Sequence, residues 1–356
     1  MKISPERAAQ IPPIALEREL ELHPSEITEH LVFNHEANGH GSYFHPDLTS
    51  VINVSHTSAS MKQILLSLCL LCLCGFQAFA EDVPSAQKIE GFRKAAEKGD
   101  ANAQCNLGDC YENGTGVPKD ANEAVIWFRK AAEQGLAKAQ CSLAHCYITG
   151  DGVAKDAVEA VKWFRKAAEQ GDSRAQLYFG LCYSNGTGIE KDYAEAVNWV
   201  RKAAEQGNAS AQCTLGHYYA RGKVVTKDEV EAVKWYRKGA VQGNMNAQFC
   251  LGYCCEFGQG VTKDDVEAAK WYRKAADQGH DKARICLGHC YEIGLGVPMD
   301  LVLAHMWYNL SLAAGYASAA EYRETVAHKM TPEQIAEAER KAREWKPKKE
   351  EKVTGH

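Results

Sequence analysis

Apolar positions between residues 101 and 136 fall into two short helical runs joined by a polar link that carries glycine. In the first run Ala103, Leu107 and Tyr111 stand at i, i+4 and i+8, one stripe of a 3.6-residue helix, here helix A. In the second, Ala124, Trp127, Phe128 and Ala131 stand at i, i+3, i+4 and i+7, predicting helix B with Gly135 in the C-cap region. Asp120 precedes helix B as an expected N-cap or first-turn acid. Gly114 and Gly116 in the link can adopt the positive φ angles that a tight connection needs. The pattern predicts a helix hairpin.

The hairpin recurs. Trp127, Trp163, Trp199, Trp235, Trp271 and Trp307 are spaced by 36 residues, as are Gly135, Gly171, Gly207, Gly243, Gly279 and Gly315. Asp120 has counterparts in Asp156, Asp192, Asp228, Asp264 and Asp300. Because a two-helix hairpin cannot bury its own apolar face, successive copies must stack on one another. The expected fold is all-α: a right-handed superhelical solenoid of helix-turn-helix repeats. The six tryptophans are expected to be its structural core, with Trp→Ala in a middle repeat costing about 3–5 kcal/mol. Gly108, Ala144, Gly180, Gly216, Gly252 and Gly288 follow the helix A leucine, where a small side chain lets a neighbouring helix approach closely.

These boundaries organise the chain. Residues 1–60 are expected to be a disordered upstream extension ahead of the true initiator Met61, and 61–80 a signal peptide. An N-terminal cap helix is predicted in 81–100. Repeats follow at 101–136, 137–172, 173–208, 209–244, 245–280 and 281–315. Capping helices are predicted over 316–346, with Thr331 as an N-cap, and a charged tail over 347–356.

The elements Ala-x-x-x-Leu-Gly-x-x-Tyr, Gly-x-Gly-Val-x-x-Asp and Ala-x-x-Trp-x-x-Lys-Ala-Ala, repeated over roughly 85–345, resemble the Sel1-like repeat family, which is related to the tetratricopeptide repeats. Four sites depart from the pattern: Ala144 replaces the helix A Gly, Cys255 replaces the Tyr, Gly222-Lys223-Val224 alters one link, and Gly239 is expected to loosen one helix B. The resemblance implies adaptor or scaffold work on other proteins, with exported bacterial members linked to envelope or host contact. Some cysteine-rich relatives carry a beta-lactamase label, so hydrolase activity is the alternative reading.

Variation between copies points to a binding face. Counting from Ala101 as position 1, positions 2, 5, 9 and 12 of helix A change most and are expected to line the concave wall. The partner-binding candidates there are Arg174, Leu177, Leu181, His145, His217, Phe249, Tyr253, Ile285 and His289. Leu177, Leu181, Phe249, Tyr253 and Ile285 would make an apolar patch suited to a peptide or a partner helix.

Charge and composition narrow the chemistry. A net charge of -5 and a pI near 6.2 argue against nucleic acid, which calls for a basic face. Met61-Lys62 followed by the apolar run Ile64–Phe76 and by Ala78-Phe79-Ala80 reads as a signal peptide cleaved after Ala80, which predicts export to the periplasm or the extracellular space. The run is shorter than the roughly 20 residues of a membrane-spanning helix, so no stable membrane anchor is expected after cleavage.

Of the 14 cysteines, three lie in that segment and eleven follow it. Cys110, Cys146, Cys182, Cys254 and Cys290 share position 10 and read as small buried fillers, with disulfides between neighbouring repeats as the alternative. Cys141 with His145, and Cys213 with His217, are i, i+4 pairs. Two ligands do not complete a structural zinc site, and neither metal nor cofactor is expected. His35, His40 and His45, within a histidine-bearing stretch of residues 1–60, lack a folded frame to bring them together. No H-E-x-x-H, phosphate-loop or G-x-S-x-G pattern occurs. Ser85-Ala86-Gln87-Lys88 matches S-x-x-K but has no companion elements, so no catalytic residue is expected. Oligomeric state is open.

Overall fold

The computed structural model describes residues 86–222 and 225–347. The signal segment, Ser85 and the histidines of residues 1–60 lie outside the described residues. The chain divides into two compact units, 1–156 and 157–356.

In the first unit the cap helix α1 (Ala86–Glu97) leads to α2 (Ala101–Asn113), α3 (Ala121–Glu133) and α4 (Ala137–Thr149). In the second, α5 (Ala157–Glu169), α6 (Ser173–Asn185), α7 (Tyr193–Glu205), α8 (Ala209–Arg221), α9 (Glu229–Val241), α10 (Met245–Phe257), α11 (Asp265–Asp277), α12 (Asp281–Ile293) and α13 (Leu301–Ala313) continue the alternation. It ends with α14 (Ala319–Ala327) and α15 (Pro332–Glu344). Even-numbered helices from α2 to α12 are helix A and odd-numbered ones from α3 to α13 are helix B. No strand occurs among the described residues, and none of their helices is long and apolar enough to cross a membrane.

Local signals account for the helix ends. Asp120, Asp192, Asp228, Asp264 and Asp300 accept hydrogen bonds from first-turn N–H groups of helix B, as expected. Helix A has its own caps, which the sequence reading overlooked: Asp100, Asp172, Asn208, Asn244 and His280 accept from the N–H three residues on. The link closes where the Asp120 N–H donates to the Tyr111 carbonyl, a bond repeated from Asp300 to Tyr291. Thr331 and Gln334 form a reciprocal capping box on α15.

The second link glycine answers a steric demand. A Cβ on Gly188 would overlap the backbone carbonyl of Ala157 at the start of the preceding helix B, and Gly152, Gly260 and Gly296 are placed likewise. These four links therefore rest on the first turn of helix B of the preceding repeat.

The core differs from the expected one. Trp127, Trp163, Trp199 and Trp271 are only half-buried, and the next residue fills the interior: Phe128, Phe164, Val200, Tyr236, Tyr272 and Tyr308 are all buried. Of the tryptophans, Trp235 and Trp307 alone are buried. The reason is rotational, since consecutive helical residues point about 100° apart and only one can face helix A squarely. Each half-buried ring instead carries a lysine from one turn on, Lys130 lying 4.0 Å from the Trp127 centroid and Lys166 4.0 Å from that of Trp163.

The expectation for the helix A glycines holds. A Cβ on Gly108 would lie 2.6 Å from the Phe128 ring, on Gly252 2.8 Å from Tyr272 and on Gly288 2.7 Å from Tyr308. Gly239, expected to loosen its helix, does the opposite. It is buried in an intact α9, where a Cβ would come within 2.9 Å of the Ala209 carbonyl and 3.1 Å of the Ala247 methyl.

Candidate functional site

Helix A carries the predicted partner-binding residues, but half of that face turns inward. Every position 5 residue is buried: Cys105, Cys141, Leu177, Cys213, Phe249 and Ile285 are at most 6 % exposed. Leu177 belongs to a core cluster with Val200, Leu215 and Trp235, and Leu181 packs against it. The Phe249 ring stacks on His280 at 4.6 Å and lies 5.9 Å from Tyr272. Of the open apolar patch expected from Leu177, Leu181, Phe249, Tyr253 and Ile285, Leu177, Phe249 and Ile285 are thus interior packing. Helical periodicity separates a packed stripe from its opposite face, but positions on the flank are covered by whichever helix stacks next.

Positions 2 and 9 keep more contact with solvent. Arg174 is exposed, and Leu181, His217, Tyr253 and His289 are half-buried, whereas His145 is buried. Burial holds the His289 imidazole below its usual pKa and so favours its neutral form. Tyr253 lies 4.6 Å, centroid to centroid, from Phe257 one turn on, and Phe257 is 54 % exposed. Ile293 occupies the same repeat position as Phe257 and is also exposed.

Position 12 supplies carboxylates to the core aromatics. Tyr272 donates to Glu256 at 2.6 Å and Tyr308 donates to Glu292 at 3.0 Å, with Lys329 Nζ 2.7 Å from the same Glu292 carboxylate. Burial raises the Glu256 carboxyl above its usual range, opposed by the Tyr272 hydrogen bond.

A polar ladder escaped the sequence reading altogether. At position 4, Gln104, Gln140, Gln176, Gln212 and Gln248 are buried, and their Nε2 atoms donate to the carbonyls of Ala96, Ala132, Ala168, Ala204 and Ala240. The side-chain oxygens of Gln104, Gln176, Gln212 and Gln248 accept from Gln134, Gln206, Gln242 and Gln278 at 2.7–2.8 Å. Their 36-residue recurrence was visible, but glutamine gives no apolar signal. A second set of bridges runs from helix B to the following helix A: Arg129 to Tyr147 and Arg201 to Tyr219, both at 2.9 Å, and Arg273 to Tyr291. Where Cys255 replaces that tyrosine, Arg237 pairs with Glu267 at 3.7 Å.

All eleven cysteines of the described residues are buried free thiols, in keeping with the filler reading. Burial pushes the thiols of Cys146, Cys182 and Cys290 up to about 12 and that of Cys255 up to about 11, which favours the protonated form over the nucleophilic thiolate.

One thiol pair has a setting of its own. Cys213 and His217 on α8 meet Cys250 on α10, their ligand atoms all within 4.8 Å of one another. Cys250 Sγ is 3.7 Å from His217 Nε2, while His217 Nδ1 is 3.0 Å from the Tyr236 hydroxyl of α9. A hydrogen bond with Cys213, and then burial, raise the Cys250 thiol well above its usual range. The two-ligand count that argued against a metal here becomes three.

Sel1 repeats are recognised at residues 101–136, 137–172, 173–208, 209–244, 246–280 and 283–316. Among solved structures, a Sel1 repeat protein from Oxalobacter formigenes is 36% identical, covering 67% of this chain and 95% of its own, with a TM-score of 0.59. A protective antigen of uropathogenic Escherichia coli displaying an SLR fold is 29% identical over 81% of this chain and 85% of its own (TM-score 0.34). Helicobacter pylori cysteine rich protein B is 28% identical over 36% of this chain and 92% of its own (TM-score 0.31). No curated protein matches. With six consecutive copies of its motif and its paired-helix stacking, the chain belongs to the Sel1 repeat family, whose members are generally non-catalytic protein-interaction scaffolds.

Proposed function

We propose that this protein is an exported, non-enzymatic scaffold that holds a peptide or protein partner against the solvent-facing part of helix A. The observation that carries the reading is the Tyr253–Phe257 pair: two aromatic rings in contact at the end of α10, one of them more than half exposed. Rigid aromatics with few rotatable bonds are the side chains that most often anchor a partner. Arg174 and the half-buried His289 add polar contacts on equivalent helices. The partner fitting this surface is a segment with apolar side chains, not nucleic acid, in keeping with the acidic net charge.

A displayed peptide library is the test of binding. Selected peptides should bind the wild-type protein, and a Tyr253→Ala/Phe257→Ala variant with an unchanged circular dichroism spectrum should lose at least about tenfold in affinity. Equal affinity in the variant would move the site elsewhere. Export is tested by expressing the chain from Met61 in a bacterial host: a periplasmic product whose intact mass starts at Glu81 supports it, and a cytoplasmic product retaining Met61 overturns it.

A further inference from the structure

We propose that Cys213, His217 and Cys250 form a binding site for a divalent thiophilic metal ion, Zn2+, that joins helix A of the fourth repeat to helix A of the fifth. The geometry suits such an ion. Zn–S and Zn–N bonds of about 2.3 and 2.0 Å at a tetrahedral angle require a sulfur–nitrogen separation of about 3.5 Å. Cys250 Sγ and His217 Nε2 are 3.7 Å apart, and the Cys213 sulfur lies within the same 4.8 Å cluster. The histidine is already oriented, because Nδ1 is engaged by the Tyr236 hydroxyl at 3.0 Å and Nε2 is the nitrogen turned to the sulfur. That arrangement is the one in which an outer partner fixes the ring of a ligating histidine.

Charge selects the ion. Binding converts two thiols to thiolates, releases two protons and leaves the histidine neutral, so two negative sulfurs offset one dication in a largely buried place. Three protein ligands leave a fourth position for water or an external donor.

The site arises from a coincidence of repeat positions. Cys213 and His217 occupy positions 5 and 9 of the fourth repeat and Cys250 position 6 of the fifth. The similar pair Cys141 and His145 is followed by Tyr178 at position 6, and Cys286, at position 6 of the sixth repeat, follows Phe249 and Tyr253. Neither alternative completes a ligand set.

The test uses the full chain, freshly reduced, stripped of metal and titrated with Zn2+ or Co2+. One equivalent of Co2+ should produce thiolate-to-metal charge-transfer and tetrahedral d–d bands, which one equivalent of Zn2+ abolishes. Affinity should rise by about a hundredfold per pH unit while both thiols are protonated in the free site. Cys213→Ser and Cys250→Ser should each lose the bands, Tyr236→Phe should bind about 10–100-fold more weakly, and Cys286→Ser should behave as the wild type. Three results would overturn the proposal: no stoichiometric bands in the wild type, bands unchanged in folded Cys213→Ser or Cys250→Ser, or a Cys213–Cys250 disulfide with no ion bound after its reduction.

Discussion

Trp127 and Phe128 are neighbours on α3 with different tasks: Phe128 fills the notch left by Gly108, and Trp127 lies partly in water beneath Lys130. Phe128→Ala should therefore cost about 3–5 kcal/mol, and Trp127→Ala clearly less, when urea midpoints are compared. The 36-residue spacing made both residues visible in the sequence. It could not say which of them faces inward, because a stripe wide enough for both is compatible with either rotation. The same limit explains Leu177, Phe249 and Ile285, where a variable position was read as surface although a stacked helix covers it.

A second expectation at this scale concerns pH. Burial raises the Glu256 carboxyl in the folded chain, so the native state holds its proton more tightly than the unfolded one. The sign follows: this group's contribution is complete below the ordinary carboxylate range and is lost as pH rises through the elevated folded value. Melting temperatures of the wild type should decline across that window relative to Glu256→Gln, which has no proton to release. Parallel curves would show that Glu256 is not protonated preferentially in the native state.

Among helices, backbone proximity and buried amides set the packing. Gly252→Ala would press a methyl against the Tyr272 ring, and such overpacking should cost about 1–3 kcal/mol in chemical denaturation. Gln248→Leu would leave the Ala240 carbonyl without its side-chain donor in a buried interface, and should cost about 1–3 kcal/mol despite the gain in apolar volume. The close-approach glycines were legible because a poor helix former recurring inside a helix calls for a packing reason. The glutamines were not, since the same residue type is at home on a solvated face, and only the partner carbonyl distinguishes the two settings. The helix A caps Asp172 and Asn208 were overlooked for a related reason: they follow the C-terminal glycine of the preceding helix so closely that one punctuation mark hid the other.

For the molecule as a whole, periodicity carried the fold class, and the stacking of consecutive helices bears it out within each unit. Contacts between successive helices mean that stability is assembled from neighbours. Tyr272→Ala should accordingly lower hydrogen-exchange protection most in α10 to α12, with α6 and α7 retaining theirs. Uniform loss across the second unit would indicate one indivisible cooperative block. The assembled site was less legible than the fold. Cys250 reaches Cys213 and His217 only through the offset between stacked hairpins, a quantity absent from any one repeat.

The last repeat breaks the glutamine ladder on both sides. Arg284 takes the place of the position 4 glutamine and Ala314 that of its partner, while the guanidinium donates to the Leu310 carbonyl, pairs with Asp281 and covers the Trp345 ring. Arginine has no oxygen to offer, so no glutamine is needed opposite it. For a gene that lengthens by tandem duplication, this has a directional meaning. A copied segment carrying both glutamines brings its own rungs and inherits a ready-made seam on either side. A copy of the sixth segment carries neither glutamine and so brings no rung: its Arg284 takes Asp281 and the Leu310 carbonyl with it and leaves only Trp345 behind. Duplication of an internal segment therefore extends the ladder of paired amides, whereas duplication of the sixth would interrupt it.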